Sequence, residues 1–204
     1  MNPLPKLYAI VDPSCFSSAG ELFEAAEELV RAGATVLQYR NKSDDPRSIV
    51  AQAVELRKRI GRRASLIMND RADLCVAADF DGVHVGQDDL SPESVRNIIG
   101  RERLVGISTH NPEQVKRADR SPADYIAIGP VFETASKANP DPVLGLAGVA
   151  RARKLTPKPL VAIGGIRRQN SRAVIEAGAD SVAVISDLVR QPAKSFEEFL
   201  RILG

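Results

Sequence analysis

Eight short apolar runs, separated by longer amphipathic segments, constrain the fold of this chain more than any other feature. Each run is rich in Val, Ile and Leu and has the length of a buried strand rather than that of a helix. The runs lie at 7–11, 36–40, 65–69, 82–85, 103–108, 125–128, 159–163 and 181–185. Strands that alternate with helices form parallel sheets, so this pattern predicts an α/β fold.

The segments between the runs carry helix signals. Segments 21–32 and 49–60 place apolar residues three and four positions apart, which builds one apolar face on a helix. Ser91 and Asn111 each stand directly before a proline, which is typical of a helix cap followed by the first helical residue. A repeated junction, in which a helix ends at a small residue and a strand begins, occurs at 32–36, 78–83, 122–126 and 177–182.

Together, the strand and helix signals predict a closed (β/α)8 TIM barrel that forms a single domain over residues 1–204. The alternative is an open doubly wound sheet, which usually has fewer strands in a chain of this length. No shift in composition along the sequence marks a domain boundary.

Composition and charge exclude several classes of protein. The sequence has 28 Lys and Arg against 26 Asp and Glu, and 44% of its residues are hydrophobic, which argues against intrinsic disorder. The charges alternate in sign along the chain, so we expect no nucleic-acid partner. Uncharged stretches reach only about nine residues, so we expect no membrane span. The two cysteines and the lack of a signal-peptide pattern predict a cytoplasmic protein.

Polar residues that end the runs are the candidates for function, because the active site of a TIM barrel lies at the C-terminal ends of its strands. Gln38, Arg40 and Lys42 alternate along the second strand and are predicted to face the barrel mouth. Two cations suit a phosphate or a pyrophosphate, since arginine offers a planar fork and lysine a point charge. The alternative is a strand end whose charges are simply solvated.

Carboxylates follow the next two strands. Asn69 and Asp70 close the third run, and Asp88 and Asp89 follow the fourth. Asp70 and Asp89 could together hold a hard cation such as Mg²⁺, with water and substrate oxygens as its other ligands. The alternative is that each carboxylate caps a helix or closes a turn.

The later strands add a long loop and a second predicted anion site. Loop 131–145 is either a surface loop or a segment that closes over an anionic substrate. Its polar residues are Thr134, Ser136 and Lys137. Gly165 after strand seven and Ser186 after strand eight match the common phosphate site of TIM barrels, where backbone N–H groups approach the anion.

The remaining reactive residues have structural interpretations. His84 lies within a strand and is expected to fill the barrel or to support the site, and His110 to cap a helix or to form a wall of the site. No neighbour of Cys15 in sequence would lower its pKa, and Cys75 is expected in the core. These residues do not form a set for covalent catalysis, so chemistry based on a metal, a leaving pyrophosphate and positioning fits better.

Taken in order, the polar motifs at the strand ends resemble those of the thiamin-phosphate synthases over essentially the whole chain. No single motif would suffice, but their combination is specific. The matching segments are 7–12, 38–42, 69–71, 82–89, 106–110, 129–132, 134–137, 163–166 and 185–186.

The resemblance implies a transferase reaction. In that family, 4-amino-2-methyl-5-hydroxymethylpyrimidine diphosphate and a thiazole phosphate give thiamin phosphate and pyrophosphate. The pyrimidine–oxygen bond breaks to give a stabilised pyrimidine methyl cation, which the thiazole nitrogen captures. The expected partners are therefore two small-molecule substrates, and the expected cofactor is Mg²⁺.

The resemblance also implies roles for individual residues. The residues that would hold the pyrophosphate are Arg40, Lys42, Asn69 and Lys137. Asp70 and Asp89 would bind Mg²⁺, with Asp88 as the competitor for Asp89, while Gln38 and Ser108 would orient the pyrimidine. The residues that would hold the thiazole phosphate are Thr134, Ser136, Gly165, Ile185 and Ser186. The expected catalytic residues are Arg40, Lys42, Ser108 and Lys137.

Three other functions stay open. A thiazole tautomerase on a related barrel shares the Phe-Glu-Thr sequence at 132–134 but generally lacks the metal carboxylates. A sugar phosphate isomerase or epimerase would not need Arg40, Lys42 and two carboxylates in this arrangement. The third alternative is a phosphate-ligand binder without turnover. The sequence leaves the oligomeric state open, with a homo-oligomer among the alternatives.

Overall fold

The computed structural model describes residues 4–43, 45–134 and 141–204. Within these residues, parallel strands form a closed barrel in sequence order, and β8 pairs with β1 through the register Leu7–Val182. The strands are β1 (Leu7–Val11), β2 (Val36–Tyr39), β3 (Ser65–Asn69), β4 (Gly82–Val85), β5 (Leu104–Thr109), β6 (Tyr125–Ile128), β7 (Leu160–Ile163) and β8 (Ser181–Val184). The predicted (β/α)8 TIM barrel is confirmed.

Helices follow the strands and cover the outside of the barrel. They are α1 (Ala19–Arg31), α2 (Pro46–Ile60), α3 (Ala72–Ala77), α4 (Pro92–Ile99), α5 (Pro112–Arg120), α6 (Gly145–Arg153), α7 (Arg168–Glu176) and α8 (Pro192–Leu203). Short 3₁₀ turns occupy Pro13–Cys15 and Ser186–Leu188. Ser91 and Asn111 cap α4 and α5 as predicted, each accepting a hydrogen bond from a backbone N–H of the first turn. None of the helices described is long and apolar enough to cross a bilayer.

Two apolar layers lie on opposite sides of the sheet. Leu37 and Tyr39 pack in the outer layer, between strands and helices, with the buried Cys75 of α3. Side chains alternate along a strand, so Gln38 faces the interior. The inner layer fills the barrel with Tyr8, Ile10, Val36, Ile67, Tyr125, Ala127, Val161 and Ala183.

Two strands end one residue earlier than the apolar runs suggest. β2 ends at Tyr39 and β8 at Val184, so Arg40 and Ile185 belong to the loops at the barrel mouth. The Arg40 backbone N–H still donates to the Val11 carbonyl at 2.9 Å, which keeps this residue aligned with β1.

The repeated helix–strand junction has a common backbone geometry at three of its sites. Gly33, Asp79 and Gly178 have positive φ angles of 107°, 52° and 111°. The next residue in each case donates its N–H to a carbonyl five positions back, with N–O distances of 3.0, 2.9 and 3.4 Å. This is the Schellman closure of a helix, and it turns the chain directly into the following strand.

Aspartates directly before β4, β6 and β8 each bind the neighbouring earlier strand and the helix that leads into that earlier strand. Asp124 shows the pattern, because its Oδ2 accepts from the Val105 N–H at 2.7 Å and from the Arg96 guanidinium at 2.7 Å. The ion pairs of this kind are Asp81–Arg57, Asp124–Arg96 and Asp180–Arg153. They lie at the end of the barrel opposite the strand C-termini, where TIM barrels carry stability rather than chemistry.

Candidate active site

A cavity of about 540 Å³ opens at the C-terminal ends of the strands. Every predicted site residue that the structure describes lines it, namely Gln38, Arg40, Lys42, Asn69, Asp70, Asp89, Ser108, Thr134, Gly165, Ile185 and Ser186. Ser136 and Lys137 lie outside the described residues. This volume is typical of a site for small molecules.

The cationic side of the cavity is formed by the chain that leaves β2. The Arg40 guanidinium pairs with the carboxylate of Asp12, which is only 5% exposed. The other oxygen of Asp12 accepts from the Ser14 N–H at 2.9 Å and from the Ser14 hydroxyl at 2.7 Å. Asp12 thus holds the Arg40 guanidinium in place. Lys42, by contrast, is more than half exposed, with 55% of its side-chain surface accessible.

Sequence reasoning gave no role to Asp12. A signal was present, because Tyr8, Ile10 and Asp12 alternate on the inward face of β1 and its extension. Asp12 on the inward face of β1, beside the strand that leads to Arg40, is a pattern that indicates an ion pair between the two residues.

Asp70 stands in the left-handed region of backbone conformation, with a φ of 61°. Such a conformation is uncommon for a residue with a side chain and is tolerated best by Asp and Asn. The Asp70 N–H donates to the His84 carbonyl at 2.8 Å, and α3 is capped at Arg71. Asp70 is therefore not the cap of that helix, and its carboxylate is directed into the cavity, where it meets Lys42 Nζ at 2.5 Å.

Asp70 and Asp89 form an acidic pair. Burial raises the pKa of Asp70 above its ordinary value, and the neighbouring Asp89 carboxylate raises it further, while Lys42 opposes both effects. Two carboxylates at such proximity are stabilised by a bound cation. Asp89 also accepts the Gly86 N–H at 2.7 Å, so it closes the turn after β4 as well. Asp88 lines the cavity beside it.

The donors around this pair fit Mg²⁺. Among the residues that the structure describes, no group of three or more His, Cys, Asp or Glu side chains forms a protein-only metal cage. Mg²⁺ usually takes one or two carboxylates and completes its shell with water and substrate phosphates. Nearby, the buried Asn69 amide Nδ2 has no hydrogen-bond partner in the described chain and lines the same cavity. An orphaned donor beside an acidic pair suits a ligand that brings anionic oxygens.

Uncharged polar groups form the floor of the cavity. Gln38 Nε2 donates to the Tyr8 hydroxyl at 3.0 Å, and the Tyr8 and Tyr125 hydroxyls are 2.9 Å apart. His84 joins them, with Nδ1 at 3.1 Å from the Tyr125 hydroxyl and Nε2 at 2.8 Å from Ser108 Oγ. Burial raises the pKa of Tyr8 to about 12 and lowers that of His84 to about 4, so all of these groups are neutral near pH 7. The expected position of His84 inside the barrel is confirmed, whereas sequence reasoning assigned nothing to Tyr8 and Tyr125.

The opposite wall of the cavity is built from the loops after β7 and β8. Gly164 and Gly165 have positive φ angles of 101° and 63°. A Cβ atom on Gly165 would lie 2.3 Å from the Glu133 carbonyl oxygen, so this position excludes any side chain. Ser186 starts the short 3₁₀ turn beside Ile185. Exposed backbone without side chains is the arrangement that lets N–H groups approach a phosphate.

The two remaining candidates, His110 and Cys15, have structural roles. His110 Nδ1 lies 2.7 Å from the Gly129 carbonyl oxygen, and its Nε2 lies 3.5 Å from Asp141 Oδ2, so His110 forms a wall of the cavity. Burial, together with the nearby charge of Asp12, raises the pKa of the Cys15 thiol, which makes it a poor nucleophile.

Comparison with known proteins agrees with this geometry. The family model for thiamine monophosphate synthase matches residues 7–188. The thiamine-phosphate synthase of Koribacter versatilis is 58% identical over 203 residues, covering 98% of this chain and 96% of the relative. That of Chloroflexus aurantiacus is 42% identical over 187 residues, covering 90% of this chain and 85% of the relative.

A solved structure extends the match to three dimensions. The thiamine phosphate pyrophosphorylase of Pyrococcus furiosus superimposes with a TM-score of 0.85 at 32% identity, covering 97% of this chain and 95% of that chain. Because the family model spans most of the chain and close relatives match it almost end to end, the chain belongs to the thiamine monophosphate synthase family.

Proposed function

We propose that the protein joins an aminopyrimidine methyl diphosphate to a thiazole phosphate and releases thiamin phosphate and pyrophosphate. Where the thiazole carboxylate is the substrate, its carboxyl group leaves as CO₂. The bond between the pyrimidine methylene carbon and the diphosphate oxygen breaks, and its electron pair leaves with pyrophosphate. The lone pair of the thiazole nitrogen then forms the new carbon–nitrogen bond. No protein atom becomes covalently attached in this scheme.

The observation that carries the proposal is that one cavity has two walls of different chemistry, each suited to an anion. One wall has Arg40, Lys42 and the acidic pair, and the other is the bare backbone at Gly165 and Ser186. Between them lies the uncharged floor of Gln38, Tyr8, Tyr125, His84 and Ser108. A reaction between two phosphorylated rings needs this arrangement, since each phosphate requires its own site and the rings must meet over a neutral surface.

The leaving pyrophosphate is assigned to the cationic wall. Arg40 is held by Asp12, so its planar fork is oriented before the substrate arrives. Lys42 would exchange its contact with Asp70 for one with the pyrophosphate once a metal neutralises the acidic pair. Asn69 would donate its orphaned amide N–H to the same group. Lys137, which lies outside the described residues, is proposed as a further contact.

Asp70 and Asp89 are the residues proposed to hold Mg²⁺. When bound, this ion would supply positive charge at the leaving group, where negative charge develops as the bond breaks. Asp70 is suited to the task because its left-handed backbone directs the carboxylate into the cavity.

The thiazole phosphate is assigned to the glycine wall. Gly165, Ile185 and Ser186 would offer backbone N–H groups and one hydroxyl, and Thr134 lines the same cavity. Ser136 lies outside the described residues, and it is included in the proposal only because of its place in the Thr-Ala-Ser-Lys sequence at 134–137. On the floor, Gln38 and Ser108 are proposed to orient the pyrimidine so that its methylene carbon faces the thiazole nitrogen.

A direct assay tests the proposal. Purified protein is incubated with both substrates, in Mg²⁺ or in EDTA, and thiamin phosphate is separated and quantified. Formation of product only with Mg²⁺ supports both the reaction and the metal. Folded protein that makes no product in Mg²⁺ contradicts the proposal and favours a tautomerase or a binding protein. Product of equal amount in EDTA contradicts the metal assignment alone.

A further inference from the structure

Arg168 joins the two loops that form the glycine wall of the cavity. It is the first residue of α7, just after the loop that carries Gly165, whereas Asp187 lies in the 3₁₀ turn that begins at Ser186. The Arg168 backbone N–H and Nε both donate to Asp187 Oδ2 at 3.0 Å, and Nη2 donates to Oδ1 at 3.0 Å. Three hydrogen bonds therefore connect the loop after β7 to the turn after β8.

The Arg168 guanidinium is also bound on its other side. Its Nη1 donates to the Glu198 carboxylate of α8. The Arg168 and Asp187 side chains are only 32% and 18% exposed, so water screens their contact in part. A planar fork that binds a carboxylate through two nitrogens has a defined geometry, and the second carboxylate supports it. None of these three residues lines the cavity, so a direct contact with a ligand does not account for the arrangement.

Further hydrogen bonds fix the peptide groups of the glycine loop. The Phe132 N–H donates to the Gly164 carbonyl at 3.0 Å. Asn170 Nδ2 of α7 donates to the Gly165 carbonyl at 3.1 Å. The N–H and C=O of a trans peptide point in opposite directions, so the N–H groups of Gly165 and Ile166 point away from these two anchors. Both residues line the cavity, and within the described residues neither N–H has a hydrogen-bond partner, so both can donate to an anion.

A wall made of backbone depends on its surroundings for its shape. Glycine leaves the chain more conformational freedom than any other residue, so the neighbouring groups must hold such a loop in place. The donors of this wall come from two separate loops, and one phosphate can use both sets only when the loops have a fixed separation. The contact between Arg168 and Asp187 sets this separation, because it joins the start of α7 directly to the 3₁₀ turn.

We propose that Arg168 and Asp187 are positioning residues for the phosphate of the thiazole substrate. Their ion pair holds the loop after β7 against the turn after β8, so the backbone donors of both loops are in place before the ligand arrives. This inference rests on the proposed function, since it takes the thiazole phosphate as the occupant of the glycine wall. The pair should act on the affinity for that ligand alone, because Arg40 and Lys42 belong to the opposite wall.

Asp187→Asn tests the proposal because charge and geometry predict opposite effects. The substitution removes a negative charge beside the phosphate site, which by electrostatics alone would strengthen anion binding. It also replaces one accepting oxygen with an NH₂ group, so the fork of Arg168 loses its match. We expect the dissociation constant of the thiazole phosphate, measured by calorimetry, to rise by about tenfold. The dissociation constant of inorganic pyrophosphate, measured in Mg²⁺, should stay within about twofold of wild type.

Arg168→Lys is the second variant, and it replaces Asp187→Asn if that variant does not fold. Lysine keeps the positive charge but lacks the planar fork. A role through charge alone predicts an unchanged dissociation constant for the thiazole phosphate, whereas positioning predicts a rise of about tenfold. The double variant should lose less affinity than the product of the two separate effects, because both substitutions break the same contact.

The exposed ion pair between Arg172 and Glu176 on the same helix provides matched controls. Arg172→Lys and Glu176→Gln make the same kinds of change further along α7, away from the 3₁₀ turn. Both dissociation constants should stay at their wild-type values in these variants. A loss of thiazole phosphate affinity comparable to that of Asp187→Asn would contradict the role assigned to Arg168 and Asp187.

The outcomes separate this inference from the proposed function. Wild-type affinity for the thiazole phosphate in both Asp187→Asn and Arg168→Lys would overturn the inference, as would tighter binding in Asp187→Asn or an equal loss of pyrophosphate affinity. A wild-type protein that does not bind the thiazole phosphate contradicts the inference and the proposed function together. A wild-type protein that binds it but forms no thiamin phosphate in the direct assay contradicts the proposed function alone.

Discussion

Asp12 and Arg40 form an ion pair across β1 and the end of β2, in which the carboxylate is buried and the guanidinium reaches the cavity. Both oxygens of Asp12 are engaged, one by Arg40 and the other by Ser14. The pair therefore fixes where the guanidinium fork stands before any ligand arrives. Preorganisation of this kind reduces the cost of ordering a side chain on binding.

Asp12→Asn is predicted to impair binding of the pyrimidine diphosphate selectively. The neutral amide no longer holds the guanidinium by charge, so the KM for this substrate should rise by about tenfold, with the KM for the thiazole phosphate within about twofold of wild type. Steady-state kinetics with each substrate varied in turn measures both values. Asp180→Asn removes the same charge from an Asp–Arg pair at the far end of the barrel and should leave both KM values unchanged. Equal increases for both substrates in Asp12→Asn would contradict the assignment of Arg40 to the diphosphate.

Asp89→Asn is predicted to reduce kcat by about 100-fold or more without unfolding the protein, because it removes a charge that would hold the metal at the leaving group. Mg²⁺ titration of the activity, together with circular dichroism of the variant, checks both parts. Asp88→Asn is the neighbouring comparison and should stay within about threefold of wild type. A larger effect for Asp88→Asn than for Asp89→Asn would reverse the assignment of the two carboxylates.

Gly165→Ala is predicted to weaken binding of the thiazole phosphate. The new Cβ would lie 2.3 Å from the Glu133 carbonyl oxygen, so the glycine wall must shift. We expect the KM for this substrate to rise by about tenfold or more, since the backbone donors move with the loop. Gly61→Ala is the matched control, because Gly61 has a φ of 61° with no atom within 4 Å of its added Cβ. It places a Cβ at a similar positive φ away from the cavity, and a similar rise in KM there would show that backbone strain, rather than displacement of the glycine wall, is responsible.

Arg96→Ala is predicted to lower the free energy of unfolding by about 2–3 kcal/mol, because the half-buried Asp124 carboxylate loses its charged partner. The guanidinium also donates to backbone carbonyls that include those of Arg103 at 2.6 Å and Pro122 at 3.0 Å, and these contacts are lost as well. Urea unfolding measures the change. At a temperature where the variant is folded, both KM values should equal those of wild type. A loss of activity without a loss of stability would contradict the separation of the two barrel ends.

His84 is predicted to make the protein less stable in mild acid. Burial lowers its pKa from 6.5 to about 4, so above pH 6.5 the imidazole is neutral in both the folded and the unfolded chain. As the pH falls from 6.5 towards 4, the unfolded chain binds a proton that the folded chain excludes, and the free energy of unfolding decreases. The total loss is about 3 kcal/mol. Urea unfolding across this range should show a shallower decrease for His84→Gln than for wild type, and parallel curves would contradict the neutral buried imidazole.

The fold was accessible from the sequence because barrel strands are buried on both faces. Such strands appear as continuous apolar runs, and caps such as Ser91 mark where the helices begin. Side-chain alternation in the second run also predicted that Gln38 faces inward and Tyr39 outward, and both are confirmed. The ends of β2 and β8 were placed one residue too far, since Arg40 and Ile185 continue the pattern but leave the sheet at the rim.

The polar floor could not be predicted because its contacts cross the barrel. Tyr8 and Tyr125 are 117 residues apart and belong to strands that do not pair with each other. Each tyrosine sits in an apolar run, where an aromatic ring indicates core and gives no sign that its hydroxyl has a partner. The geometry of Asp70 was equally hidden, because nothing local in Asn-Asp-Arg specifies a positive φ. Its prediction as a metal ligand came from its strand-end position and from the family motif.

The aspartate–arginine pairs described at the N-terminal ends of the strands have a consequence for engineering. Asp81, Asp124 and Asp180 fasten strands to helices without using any residue of the cavity wall. The loops at the barrel mouth can therefore be redesigned to bind other phosphorylated ring systems while these three aspartate–arginine pairs are kept unchanged. A library built on this barrel should vary the mouth and hold the aspartates and their arginines constant.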